Sequence, residues 1–426
     1  MINRVAQDLI KTLALGFPVV IITGPRQSGK TTLAKSVFPS HDYVLLEDID
    51  TQMRANQDPR GFLMSFPNGV ILDEVQRVPE LFNYLLGVVD DQKKMGHFIL
   101  TGSQQFNMME KVTQSLAGRT GIIHLLPFSI EELSLTESSL ESLACKGFYP
   151  PVYDRPISPE LWGQNYISSY VERDVRQLIN IQDLSRFQLF LQMCANRVGH
   201  LLNLTSLAND VGITHNTARS WLSILEASYI VYLLQPYYRN HGKRLVKNPK
   251  LYFYDSGLLC RLLGIQTPET MAVHHCKGAI VESVIISDIA KHYFNHGQRP
   301  PLYFWRNNTG DEVDLLIEQG SHLLPIEIKS GKTMNSDYLK GLKKLRSLSP
   351  DFLDGILIYS GDQSYSQESI RIINWLKFCN DIKGNLNDST AMKISQHDEC
   401  LMDTRIASIG ETVPHDSILN EYNLSH

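Results

Sequence analysis

Over the first 128 residues, short apolar runs alternate with amphipathic stretches. Val5, Leu9, Ile10 and Leu13 recur at helical spacing and predict a short helix over residues 1–15. Val19 to Ile22 is a β-branched run that predicts a buried strand. Similar signals fall at Tyr43–Leu46, Gly69–Glu74, His97–Leu100 and Ile122–Leu126. Between them, residues 48–67 read as polar helix and loop, while 79–91 and 106–117 read as helices. Gly118 to Gly121 is expected to break the chain before the last strand. Strands alternating with helices at this spacing predict a doubly wound parallel sheet, with ligands beyond the carboxyl ends of its strands.

The pattern then turns helical from 129 to 199, with Pro150-Pro151 and Pro156/Pro159 marking loops and Glu172-Arg173-Asp174 on an expected charged helix face. Residues 200–255 read as a winged helix-turn-helix. Thr205 is expected to cap a first helix carrying Leu207, Ala208 and Val211, and Gly212 makes the turn. Thr214 caps a second helix with Ala218, Trp221, Leu222 and Leu225 on its apolar side and His215, Asn216, Arg219 and Ser220 opposite. Strands at 229–234 and 251–254 flank a basic wing, 238–250. Residues 256–378 predict a helix at 278–294, strands at 303–306, 312–318 and 322–329, a basic helix at 334–348 and a strand at 355–359. The polar stretch 379–426 lacks apolar periodicity and is expected to be poorly ordered.

Length and composition change this picture little. A chain of 426 residues with 43% hydrophobic content predicts two to four domains with real cores. A formal net charge of −5 excludes a chain that coats nucleic acid along its whole length, so any such contact rests on a local patch. The six cysteines are scattered, which argues against a disulfide framework or a zinc module. His274-His275-Cys276 are not expected to converge on one ion, being adjacent. No signal peptide or membrane-length apolar run is present, and the chain reads as cytosolic with no membrane partner.

The specific chemistry begins where the first strand ends. Residues 24–31, GPRQSGKT, fit the phosphate-loop pattern between strand and helix. Gly24, Pro25, Arg26, Gln27, Ser28 and Gly29 would curl backbone N–H groups around a triphosphate, with Thr32 opening the helix behind it. Lys30 would reach the β- and γ-phosphates, and the Thr31 hydroxyl would ligate Mg²⁺. Asp73 and Glu74 close an apolar strand. There Asp73 would hold the ion and Glu74 would act as general base toward water. Ser103, with Thr101 and Gln104, stands where a γ-phosphate sensor would sit. Arg119 is a candidate for transition-state charge, in cis or from a neighbouring subunit.

Together these residues resemble the AAA+ branch of P-loop ATPases. More narrowly, the chain is similar to a widespread prokaryotic family of uncharacterised ATP-binding proteins. In that family an AAA-like domain precedes a C-terminal domain of unknown function related to restriction-endonuclease-like folds. The resemblance spans roughly residues 1–375. It rests on GPRQSGKT, ILDEVQ, ILTGSQ, LAGRT followed by LLPFS, YVERDV, the helix-turn-helix, KNPKLYFYDSGL, and EVDLLI with PIEIKS. It implies ATP and Mg²⁺ as ligands and assembly as a homo-oligomer or with a protein partner. Glu282 on a helix, Asp314 on a strand and Glu327-x-Lys329 on the next also look like the PD-(D/E)xK nuclease arrangement. That resemblance implies a second divalent ion on Asp314 and Glu327 supported by Glu282, with Lys329 activating water against DNA. The expected fold is therefore α/β: a P-loop sheet over 1–128, a helical segment over 129–199, a winged helix over 200–255 and a nuclease-like domain over 256–378. Such a chain would couple nucleotide state to DNA binding or cleavage. The alternatives are an interaction ATPase without nuclease activity and a DNA-binding regulator that uses ATP for assembly.

Overall fold

The computed structural model describes residues 2–103, 116–136, 138–169, 183–237, 248–307, 309–348 and 352–387. Gln104, Asn308, the Glu172-Arg173-Asp174 trio, most of the helix expected at 106–117, most of the basic wing and nearly all of the C-terminal stretch lie outside them.

Five parallel strands form the first sheet: β1 (Val19–Thr23), β2 (Asp42–Leu45), β3 (Val70–Asp73), β4 (Phe98–Gly102) and β5 (Thr120–His124). Their order is β2-β3-β4-β1-β5. Every residue of β1 is buried. Val20 and Ile22 face one core with Ile10 of α1 (Ala6–Gly16) and Leu33 of α2 (Lys30–Val37). Val19 and Ile21 face the other with Leu81, Leu85 and Val89 of α3 (Leu81–Gln92). The continuous apolar run is thus that of a strand covered on both faces. The register also corrects the expected break at 118–121. Gly121 lies within β5, where an added Cβ would meet Leu13 at 3.0 Å, so it permits close packing of α1 rather than ending the strand.

In the helical segment, Pro151 and Pro159 begin helices, while Pro156 lies in the loop between those helices. Pro159 opens α5 (Pro159–Tyr166), which follows α4 (Leu140–Lys146), and Pro151 opens a one-turn helix. Proline suits a first helical turn because the N–H it lacks has no partner there. The helix-turn-helix pair is α6 (Leu204–Val211) and α7 (His215–Ala227), with Gly212 in the left-handed turn and Thr214 capping α7. Its first cap is Asn203, not Thr205: Asn203 accepts from Ser206 N at 3.0 Å.

The second sheet has eight strands, β6 (Val231–Pro236), β7 (Lys250–Phe253), β8 (Leu302–Arg306), β9 (Glu312–Gln319), β10 (His322–Lys329), β11 (Ile356–Tyr359), β12 (Tyr365–Gln367) and β13 (Ile370–Asn374), in the order β12-β13-β11-β10-β9-β8-β6-β7. β6 runs parallel to β8, with Gln235 opposite Tyr303. The hairpin expected to belong to a separate winged helix therefore extends the C-terminal sheet. A long helix, α8 (Lys277–Asn295), packs against this sheet and reaches β5 of the first. Its buried Asp288 accepts from Ile130 N at 2.8 Å, and its buried Lys291 donates to Phe128 O at 3.0 Å. The expected basic helix at 334–348 is shorter, reduced to a turn of 3₁₀ and α9 (Lys340–Arg346).

Candidate nucleotide site and C-terminal charge cluster

At the carboxyl end of β1 the chain turns through Gly24. Its φ of +153° and the Leu125 carbonyl, 2.1 Å from where a Cβ would stand, both demand glycine. Gly29, at φ +93°, caps α2 in the left-handed region, and the helix begins at Lys30 rather than Thr32. Between them the Ser28 hydroxyl is buried with no partner, a donor a bound phosphate would satisfy. Lys30 is buried and donates to the Gly24 and Pro25 carbonyls at 3.1 and 2.7 Å. Burial lowers its pKa to about 8, although Glu74 and Asp73 pull the other way.

The strand order places β3 one strand beyond β4 from the loop, so its carboxylates face the start of α2. Thr31 Oγ1 donates to Asp73 Oδ2 at 2.8 Å, Tyr43 OH donates to the same oxygen at 2.9 Å, and Thr101 donates to Oδ1. This hydroxyl and carboxylate pair is a hard oxygen donor set that fits Mg²⁺. Glu74 follows in the left-handed region at φ +56°. Ser103 donates to its Oε2 at 3.3 Å, and Gln76 donates to the same oxygen. Lys30, Thr31, Asp73, Glu74, Thr101 and Ser103 are thus brought together. Arg119 is not. Its carbonyl bonds Val19 N at the opposite end of β1, and its exposed guanidinium grips Asp90 at 2.6 and 3.0 Å. Five strand residues separate it from the loop, on the order of 16 Å, so it does not act there in cis.

Three groups at the loop escaped the sequence reading. Arg4, buried, donates to the Ser28 and Leu126 carbonyls at 2.8 and 2.7 Å and pairs with Glu132 at 2.9 Å. Glu132 closes a capping box with Ser129. From α5, Trp162 Nε1 donates to Gln27 Oε1 at 2.9 Å and Tyr166 OH donates to Arg26 O at 3.3 Å, with the two rings stacked. Spacing carries no trace of these contacts, most of which join segments more than a hundred residues apart.

The lowered pKa of Lys30 gives a pH prediction. Phosphate binding needs the ammonium, and in the folded chain that charge is lost through about 8 rather than 10.5. ATP affinity is expected to hold at pH 7 and weaken about tenfold per pH unit above 8. Equilibrium titrations at pH 7 and 9 check this, and equal affinities would show that Lys30 does not meet the phosphates.

In the second sheet, Asp314 of β9, Glu327 and Lys329 of β10 and Glu282 of α8 also come together. Lys329 Nζ lies 2.5 Å from Glu327 Oε1 and 3.4 Å from Asp314 Oδ2, and Asp314 Oδ2 accepts from Ile328 N at 2.9 Å. Tyr252 OH donates to Glu282 Oε2 at 2.9 Å. Burial, reinforced by Asp314, raises Glu282 to about 7 and Glu327 to about 8. Burial opposes the charge on Lys329, but Asp314 and Glu327 prevail and raise its pKa. Lys329 lies against Asp314 and Glu327, the two carboxylates expected to hold an ion with Glu282 in support. Among the described residues, the carboxylates of Glu282, Asp314 and Glu327 do not converge as a ligand set, whereas His274, His275 and Cys276 do, within 4.8 Å of one another. The turn into α8 folds the three side chains together, with Cys276 N donating to His274 Nδ1 at 3.1 Å.

A strand-end phosphate loop on a parallel sheet, with Asp73 bonded to Thr31, defines a nucleotide-binding P-loop protein of the AAA class. Residues 16–134 match the AAA domain family, 277–378 a domain of unknown function (DUF4143), and 137–269 another (DUF8612). Two uncharacterized proteins, Rv2008c of Mycobacterium tuberculosis and Mb2031c of Mycobacterium bovis, are each 31% identical over 321 residues, covering 74% of this chain and 71% of theirs. The chain belongs to the family that these two represent. Among solved structures, it is similar to a Walker-type ATPase of Pyrococcus abyssi at 13% identity, covering 62% of this chain and 96% of that one, with a TM-score of 0.42. No helix among the described residues is long and apolar enough to cross a membrane.

Proposed function

We propose that the chain hydrolyses ATP with Mg²⁺ and uses the nucleotide state to control a DNA-binding output further along the chain. The observation that carries the reading is the Thr31–Asp73 bond beside buried Lys30, with Glu74 next in sequence. Loop N–H groups and Lys30 would hold the triphosphate, Thr31 and Asp73 would hold the ion, and Glu74 would take the proton of the attacking water. Bound Mg²⁺ would neutralise charge on the phosphates. Ser103 would position Glu74. Trp162 and Tyr166 sit on Gln27 and Arg26, so a change in the loop moves α5 with it.

The DNA output is supported by α7, which presents Asn216, Arg219 and Ser220 to solvent. Only one of these is cationic, so a weak, salt-sensitive contact is expected. Labelled single-stranded, duplex and branched DNA should be titrated at several salt concentrations, with and without ATP, using wild type, Lys30→Ala and Asp314→Ala. Binding that responds to ATP in wild type and not in Lys30→Ala supports the reading. Cleavage lost in Asp314→Ala would add the nuclease. ATP turnover with no DNA effect would leave an interaction ATPase, and ATP-dependent binding without turnover a regulator that uses ATP for assembly.

A further inference from the structure

A lysine outside the Glu282, Asp314, Glu327 and Lys329 set changes what that cluster is. Lys250 opens β7, in the hairpin that reaches the C-terminal sheet from the middle of the chain. It is 3% exposed. Its Nζ pairs with Glu312 and lies 4.0 Å from Asp314 Oδ1, and its charge is also felt by Glu282. Lys329 fills the far side against Glu327 and Asp314. A hydrated ion has a route in, because Lys250, Glu282, Glu312 and Arg306 line a cavity of about 550 Å³ with openings to solvent.

We propose that the ammonium of Lys250 occupies the position of a divalent cation in this cluster, so that the site binds such an ion only when Lys250 is removed from it.

Four carboxylates gathered in a partly dry site need compensating positive charge. A divalent ion bound to Asp314 and Glu327 would supply two units. Here two lysines supply them, one from β7 and one from β10. An ion entering beside Lys250 would face an ammonium within a few ångströms at low dielectric, and Asp314, held by Ile328 N and Lys329, would have to leave its partners. Glu312 and one oxygen of Asp314 face the Lys250 ammonium, while the other oxygen of Asp314 faces Lys329. The second oxygen of Glu327 is buried with no partner, an acceptor that an ion held by Asp314 could use.

The test is direct binding of Mn²⁺ to the full chain without nucleotide, by calorimetry and by loss of the free-ion paramagnetic resonance signal. Mn²⁺ is suited because it seeks oxygen and passes over His274, His275 and Cys276. Wild type and Asp314→Asn are expected to bind alike, with no ion at the cluster. Lys250→Gln is expected to gain one ion about 10–100-fold tighter than any wild-type site. The gain should vanish in Lys250→Gln/Asp314→Asn, and Lys250→Arg, which keeps the charge, should show none. Mn²⁺ should also raise the melting temperature of Lys250→Gln alone. An ion bound by wild type and lost in Asp314→Asn overturns the proposal, and that arm stands even if Lys250→Gln does not fold. Failure of folded Lys250→Gln to gain an ion overturns it equally. Neither result depends on ATP hydrolysis or DNA binding.

Discussion

Glu74→Gln is expected to lower the turnover of ATP by about 10²–10⁴ while leaving ATP affinity within about threefold of wild type. The two effects separate because the hydrogen bonds Glu74 accepts come from Ser103 and Gln76, not from the phosphate loop. The loop, Lys30 and the Thr31–Asp73 pair remain as they are, so ground-state binding persists. What disappears is the carboxylate proposed to take the proton of the attacking water; Asp73 is already engaged by Thr31, Tyr43 and Thr101. Glutamine keeps the shape of the side chain and an oxygen for the Ser103 hydroxyl, and it fits the left-handed backbone at φ +56° no worse than glutamate does. A larger change such as Glu74→Ala would also free Gln76 and Ser103, and would confuse loss of a base with loss of local structure. Phosphate release at saturating ATP, with an equilibrium ATP titration alongside, distinguishes these effects. Unchanged turnover in Glu74→Gln would place the base elsewhere, and a loss of affinity matching the loss of turnover would make Glu74 a binding residue.

The phosphate loop was legible because its chemistry is local. Eight consecutive residues specify the turn, the ammonium and the hydroxyl, and the strand before them is apolar on both faces. Asp73 and Glu74 were legible as the end of another such strand. Arg119 shows the limit of that logic. Arg119 was a candidate in cis or from a neighbouring subunit, but strand direction decides which end of the sheet a residue occupies, and Arg119 falls at the end away from its own phosphate loop. Lys250 shows the opposite error. Inside the run from Tyr238 to Lys250 it looked like one more solvated cation of a basic wing. Nothing in that run reveals that β6 would pair with β8 and carry Lys250 into a cluster of carboxylates. Glu282, Asp314, Glu327 and Lys329 could be read from a motif, but Glu312 and Lys250, and with them the charge balance, required the sheet order.

Arg4→Ala is expected to cost about 3–5 kcal/mol of folding stability, with the largest local effect at the phosphate loop. The residue sits before α1, where the sequence offers only an isolated charge near a terminus. In the fold its guanidinium is buried over the Phe128 ring, at 5.0 Å from the centroid, and spends its donors on three separate segments. One goes to Ser28 O inside the loop, one to Leu126 O just beyond β5, and one to the carboxylate of Glu132. Truncation leaves that carboxylate, whose side chain is fully buried, without its cation, and leaves two carbonyls without a partner. Glu132 keeps the Val5 and Ser129 N–H groups, so its local cap survives while its charge is uncompensated. The double variant Arg4→Met/Glu132→Gln removes both charges and is expected to recover about half of the lost stability or more, as replacement of a whole buried pair is far milder than removal of one member. Denaturant unfolding of the two variants and wild type gives the comparison. ATP affinity gives a second readout: it should fall in Arg4→Ala, because Ser28 O is no longer fixed, and should remain lower in the double variant even where stability returns. Full recovery of both would reduce Arg4 to a charge partner for Glu132, whereas stability regained without affinity would identify it as the brace that holds the phosphate loop in its binding shape.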